Sequence, residues 1–349
     1  MMSPKDYYTI SEADFLQWLR GLSPEREIFY PVRRNGDWVF RRWEGEGPLE
    51  IEPSGYRAVE SLKNFLFPAR VEVARFPRGE IEGKQSSRDR VIVGLKACDL
   101  ACLPVLDYIF KEGDFSDPFY ARSRESTILI SQDCLEFKEV CFCPVVGGQP
   151  YPLSGFDLNL TPLPDGYLVE SGSDRGNRLL EENRDFFKPA APEQLKDREK
   201  LRSKVLTELK KQLEEQGQIE EAPSAAEVRN KSADELWKEE SVPCVECGAC
   251  NLVCPTCHCF ILEELASASG SLKIRNWDAC QYPGFSRVAG GANPRSRRSE
   301  RLSNRFSKKF EFFPEVTGVI ACTGCGRCFE ACMGKIDIRK ILKRIKCKV

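Results

Sequence analysis

Apolar positions along this chain follow two different periods, and each predicts its own elements. In SEADFLQWLRGL, Phe15, Trp18 and Leu19 recur at helical spacing behind Ser11, with Asp14 three residues on, which predicts a helix capped by the serine. FYPVRRNGDWVFRRW predicts a hairpin turning at Asn35-Gly36, a dipeptide that supplies the positive φ angles of a tight turn, and LNLTPLPDGYLVES predicts another at Pro164-Asp165-Gly166. Between them, two short apolar runs, RVIVGLKA (90–97) and STILISQ (126–132), flank the helical-looking LACLPVLDYIFK. Strand, helix, strand in that order predicts neighbouring parallel strands. Cys98 and Cys134 fall just past the carboxyl ends of those strands, the edge where open α/β sheets bind ligands.

From about 190 to 240 the chain turns charged and rich in Ala, Glu and Lys, and Leu201, Val205, Leu209 and Leu213, four apart, mark one helix face. An irregular stretch around Gly217 to Ser224 interrupts it. The expected layout is an α/β (α+β) domain over 1–189, a helical connector over 190–240, and a cysteine-rich, two-cluster ferredoxin-like domain over 241–349.

Composition narrows the chemistry. The 349 residues are 41% hydrophobic with five Trp and 21 Phe, enough to fill two or three cores. Charges nearly cancel at −1, so the whole-chain field favours neither nucleic acid nor an anionic membrane. The opening MMSPKDYYTISEADF lacks an apolar core of signal-peptide length, and no stretch approaches the roughly 18 to 20 apolar residues that span a bilayer, so the expected location is the cytoplasm. In that reducing compartment 17 cysteines do not persist as disulfides, and clustered thiols point to metal or redox chemistry. His258 is the single histidine, which removes most imidazole-based metal sites and acid–base schemes.

Two runs carry the strongest signal. Cys244, Cys247, Cys250 and Cys254 follow C-x2-C-x2-C-x3-C-P, and Cys322, Cys325, Cys328 and Cys332 repeat the spacing with Met333 in place of proline. In two-cluster ferredoxins the first three thiolates of such a run wrap one [4Fe–4S] cube and the fourth reaches the other. The expected ligand sets are Cys244, Cys247, Cys250 with Cys332, and Cys322, Cys325, Cys328 with Cys254. Gly248, Gly324 and Gly326 suit the tight backbone around such cubes. Structural zinc takes C-x2-C twice across a spacer, and each run here overfills such a site.

Between the runs lie 67 residues, more than a minimal ferredoxin carries, including the Arg- and Lys-dense NWDACQYPGFSRVAGGANPRSRRSERLSNRFSKKF. A solvated face is the first expectation for such a stretch, partner docking or neutralisation of cluster charge the second, and nucleic acid the last. Cys98, Cys134, Cys141 and Cys143 are a candidate set for a third cluster, and Cys98, just before a helix, is expected to favour thiolate. Against the cluster, C-x-C is not a common cubane spacing and free cysteine buries readily. Cys257, Cys259 and Cys280, with His258, are a surplus set that can ligate a further metal or simply pack around the cubes. Cys102 and Cys347 are expected to be structural or incidental.

Beyond these runs, KACDLACLPVLD, DPFYARSRESTILI, CFC at 141–143, GFDLNLTPLPDGYLVESGSDRG, CPTCHCF, WDAC, AGGANPR and CTGCGRC together resemble the iron–sulfur beta subunits of cytoplasmic sulfhydrogenases, a family that takes in the related iron–sulfur subunits of anaerobic sulfite reductases. The resemblance covers most of the chain. It departs at Ala292 and Lys308, where such proteins often carry His, which leaves room for a branch with another terminal enzyme.

The resemblance implies an electron-transfer subunit of a soluble anaerobic complex. Its implied neighbours are a flavin-bearing, NAD(P)H-reactive or ferredoxin-linked reductase and a terminal catalytic subunit such as a hydrogenase or sulfite reductase. The chain shows neither a G-x-G-x-x-G fingerprint nor a P-loop, so flavin and nicotinamide are expected on partners rather than here. Two rivals stand beside the relay: a catalytic subunit reducing a disulfide or sulfur species at an amino-terminal cluster, and a zinc-binding nucleic-acid or scaffold module.

Overall fold

The structure, a computed structural model, describes residues 7–44, 55–76, 89–231, 235–267 and 270–347. The first six residues of the opening, part of the stretch without an apolar signal-peptide core, lie outside that set. The larger sheet has eight strands: β1 (Tyr7–Ser11), β2 (Arg26–Arg34), β3 (Asp37–Arg42), β5 (Asp89–Leu95), β6 (Thr127–Gln132), β7 (Leu158–Leu163), β8 (Gly166–Ser171) and β9 (Lys188–Pro189). Their order is β3-β2-β5-β6-β7-β8-β1-β9. The central pairs β2–β5, β5–β6 and β6–β7 are parallel, and antiparallel hairpins close both sides.

The elements follow from the residues. Ser11 Oγ accepts from Asp14 N at 3.1 Å and starts the helix Glu12–Leu22, which buries Phe15, Trp18 and Leu19. Asn35 and Gly36 turn β2 into β3 with φ of 51° and 88°. The apolar runs of β5 and β6 are continuous because the sheet is covered on both faces. Val91, Val93, Ile128 and Ile130 enter the core beneath the first helix, whereas Ile92 and Leu129 enter a second core with Leu66, Phe67 and Leu103.

The helix Pro192–Glu215 works as a bracket between two cores. Toward its start, Arg198 reaches Glu170 at 3.1 Å, and Arg202 reaches Asp133 at 2.7 Å and Glu170 at 3.4 Å, so those charges are buried against the large sheet. Toward its end, Leu209 and Leu213 enter a carboxyl-terminal core with Phe142, Trp237, Phe306 and Ile341.

A second sheet stands where the sequence pattern suggested only a basic insertion. β10 (Phe260–Ser267) and β11 (Gly270–Trp277) form a hairpin, and β4 (Arg70–Phe76) pairs antiparallel with β11. Trp277 fastens the junction, its Nε1 donating to Phe67 O at 2.9 Å. The basic tail is the amphipathic helix Ile338–Lys346, which buries Ile338, Ile341, Leu342 and Ile345. No helix among the described residues is long and apolar enough to cross a membrane.

Candidate iron–sulfur centres

The two cysteine runs fold alike. In each, a glycine in the left-handed region, Gly248 or Gly326, leads into a four-residue helix, Ala249–Leu252 or Arg327–Glu330. At Gly248, with φ +70°, an added Cβ would stand 2.6 Å from the Tyr282 ring. Side chains are excluded twice there, by backbone conformation and by space.

Cys244, Cys247, Cys250 and Cys332 line one cavity, the first expected ligand set, and Cys328 borders it as well. In the second set, Cys254 and Cys325 are buried, and the charges of Cys254, Cys322 and Cys328 act on one another, as do those of Cys325 and Cys328. Among the described residues no three Cys, His, Asp or Glu side chains converge as a single ion would require. A bare zinc ion draws its thiolates to about 2.3 Å of one point. The thiols of the first set instead stand around a space, the arrangement a group several atoms across needs.

The surroundings of these thiols are cationic. Arg298, Arg301, Arg305 and Lys309 recur at intervals of three and four on the helix Arg298–Ser307 and the π turn Lys308–Phe312 that continues it. Arg298 donates to Cys244 O at 2.8 Å, Arg301 pairs with Glu246, and Arg305 donates to Cys250 O at 3.4 Å. Lys309 Nζ donates to Cys254 Sγ at 3.4 Å, Thr256 Oγ1 at 2.7 Å and Ala321 O at 2.9 Å. The expected solvated face is therefore overturned for Arg301, Arg305 and Lys309, all of which are buried. Backbone carbonyls and thiolates supply the counter-charge that water would otherwise provide.

Burial pushes the Cys250 and Cys322 thiols up to about 12, with Arg305 and Lys309 respectively opposing it. Cys254 moves the other way, because a hydrogen bond from Cys257 and the Lys309 and Arg305 charges favour its thiolate. Thiol donors, tight glycine turns and buried cations together fit a pair of anionic iron–sulfur cubes.

Residues 243–336 match the family model described as a 4Fe-4S dicluster domain. Over 341 residues, 97% of this chain and 98% of the relative, the sequence is 29% identical to sulfhydrogenase 2 subunit beta of Pyrococcus furiosus. This chain is similar to a sulfhydrogenase beta subunit and carries a 4Fe-4S dicluster domain. Its domain supports at least two [4Fe–4S] clusters and an electron-transfer role.

The amino-terminal thiols also come together. Cys98, in the helix Ala97–Leu100 after β5, lines a small cavity with Cys134, Cys141 and Cys143, and Cys325 of the second run borders it too. Gly324 makes that approach possible: at φ +64° its added Cβ would lie 2.4 Å from Cys143 Cα, while Phe142 N donates to Gly324 O at 2.8 Å. The expected preference of Cys98 for thiolate is not met. Burial and the neighbouring Asp99 push its thiol well up, and the helix has only four residues. Burial likewise pushes Cys134 up to about 12, opposed by Lys96.

Several residues that hold the two thiol regions together carried no sequence signal. Arg327, between Cys325 and Cys328, is fully buried; its Nη2 donates to Asp99 Oδ1 at 2.6 Å and to Ala58 O at 2.8 Å. Arg57 Nε donates to Cys325 O at 2.7 Å, and its Nη2 pairs with Glu330. Lys63 Nζ donates to Leu252 O at 2.9 Å and lies 4.0 Å from the Trp277 ring centroid. Cys102 is buried in the apolar core with Leu103 and Leu106, and Cys347 is exposed past the last helix.

The surplus set gathers as well. Cys257, Cys259 and Cys280 line a cavity of about 350 Å³ that also touches His258, whose imidazole burial lowers to about 4.

Proposed function

We propose that this chain relays single electrons between a flavin- or NAD(P)H-type partner and a terminal catalytic subunit, within a soluble cytoplasmic assembly. Cys244, Cys247, Cys250 and Cys332 would hold one [4Fe–4S] cluster, Cys254, Cys322, Cys325 and Cys328 a second, and Cys98, Cys134, Cys141 and Cys143 a third. Such clusters, when bound, supply one-electron chemistry without breaking bonds in an organic substrate.

The observation that carries this reading is the position of the second run. Cys328 borders the cavity of the first run and Cys325 borders that of the amino-terminal thiols, so the second run stands between two thiol-lined spaces. The chain's own residues have three tasks there. Thiolates hold; Arg305, Lys309 and Arg57 offset added negative charge; the Arg327–Asp99 pair fixes one thiol region against the other. The sulfhydrogenase relative, named as one subunit, supports a hetero-oligomeric setting. Flavin and nicotinamide would belong to partners.

One observation favours catalysis at the amino-terminal group instead. An open cavity of about 450 Å³, a size that admits small molecules, has Cys98, Cys143 and Tyr151 in its wall. The nucleic-acid reading is weakened at Arg301, Arg305 and Lys309, which turn inward, although Arg287, Arg297, Arg298 and Lys308 stay exposed.

The test is anaerobic purification of the complex through a tag on this chain, followed by freeze-quench electron paramagnetic resonance after mixing with NAD(P)H. The relay predicts cluster reduction in the complex and no turnover of disulfide or sulfur species by the isolated chain. Turnover by the isolated chain would replace the relay with the catalytic reading.

A further inference from the structure

Five of the 17 thiols lie outside the twelve assigned to those three clusters, and three of the five, Cys257, Cys259 and Cys280, share one wall. Asn251, 2% exposed, donates its Nδ2 amide to Cys280 Sγ at 3.1 Å and to Cys257 Sγ at 3.7 Å, so one fixed amide spans both sulfurs. Cys259 and Cys280 lie at the open end of the β10–β11 hairpin. Phe260 pairs with Trp277, and Asp278 N donates to Cys259 O at 3.0 Å, which brings the two flanking cysteines to the same end of the hairpin. Gln281 Nε2 points at Cys280 Sγ from 3.7 Å.

These sulfurs face the cavity of about 350 Å³ rather than a filled core. Arg305 borders the same cavity, is 5% exposed, and keeps a buried Nε with no hydrogen-bond partner among the described residues. Lys309, also 5% exposed, borders it too. Thiols placed merely to pack would be enclosed by apolar side chains, as Cys102 is. Here they meet an open space, amide donors aimed at sulfur, and a buried guanidinium with a free N–H, which is the setting of an anionic thiolate-bound centre.

We propose that Cys257, Cys259 and Cys280 hold a further thiolate-ligated metal centre, an iron–sulfur cluster with three cysteine ligands and its fourth position toward the cavity. Cys257 N donates to Cys254 O at 3.3 Å, so this centre would adjoin the second cube of the dicluster domain. The chain's own part is to present three soft donors, to satisfy Cys257 and Cys280 through Asn251, and to balance charge with Arg305. This assignment does not depend on the relay.

The test compares iron, acid-labile sulfide and zinc per chain in the anaerobic full-length protein and in Cys259→Ser and Cys259→Ser/Cys280→Ser variants. Low-temperature electron paramagnetic resonance of the two dicluster cubes serves as the folding control. The expected result is a loss of about four irons and four sulfides in the double variant, with both dicluster signals retained. Loss of one zinc with iron and sulfide unchanged would overturn the cluster. Unchanged iron, sulfide and zinc would overturn the proposal. If the double variant loses the dicluster signals, Asn251→Asp decides. With the cysteines intact it places a carboxylate against Cys257 and Cys280, and metal content equal to the parent protein there would also count against the site.

Discussion

Replacing Lys309 by methionine isolates one charge beside one proposed cluster. The Lys309 ammonium lies 3.4 Å from Cys254 Sγ, is 5% exposed, and is held to Thr256 and Ala321, so solvent screens it little. With roughly 6 Å between the ammonium and the centre of a cube on Cys254, and an effective dielectric of about 20, Coulomb's law gives ~3 kcal/mol for each added electron. For a one-electron couple, where tenfold in equilibrium is about 59 mV, that corresponds to a fall in midpoint potential of ~100 mV. The assay is an anaerobic potentiometric titration followed by electron paramagnetic resonance, with iron content confirming that both cubes persist. Lys309→Arg should restore most of the potential, because it returns the charge even where the hydrogen bonds differ. A Lys309→Met protein with full iron content and a potential within ~20 mV of the parent would refute the electrostatic reasoning, since the expected shift is several times larger.

Other substitutions probe the joints. Asp99→Ala leaves the Arg327 guanidinium buried without its carboxylate and should cost ~3–5 kcal/mol, read as a lowered Tm in anaerobic thermal unfolding; an unchanged Tm would remove the pair from the account. Gly324→Ala forces a left-handed alanine against Cys143 and should cost at least ~2 kcal/mol, with loss of iron from the amino-terminal thiols before the dicluster pair. Cys134→Ser/Cys141→Ser should remove about four irons while leaving the dicluster signals intact. Cys102→Ala should leave iron content unchanged, because that thiol packs among Leu103 and Leu106.

Local chemistry made much of the architecture legible before any coordinates. The Ser11 cap and the Asn35-Gly36 hairpin depend on neighbours within a few residues, the parallel strands Asp89–Leu95 and Thr127–Gln132 on two apolar runs joined by one helical crossover, and each stands where the pattern put it. The cysteine runs were legible because cluster ligation demands a fixed spacing. What escaped depends on distance or on reversed polarity. Arg327 and Asp99 are 228 positions apart, and the pairing of Arg70–Phe76 with Gly270–Trp277 spans a similar gap. The stripe of Arg298, Arg301, Arg305 and Lys309 had a visible helical period, but charge at that period ordinarily marks a wet face. Here Arg301, Arg305 and Lys309 turn inward while Arg298 stays exposed, because the partners are thiols, a carboxylate and loop carbonyls, which hydropathy does not register.

The account rests on iron and sulfide held by this chain. Anaerobic iron, sulfide and zinc analysis of the full-length protein, with low-temperature electron paramagnetic resonance of the dithionite-reduced sample, tests that most directly. The account predicts at least about eight irons in two magnetically interacting [4Fe–4S] clusters, and about four more from the amino-terminal thiols. Zinc without iron in material kept strictly anaerobic would contradict it.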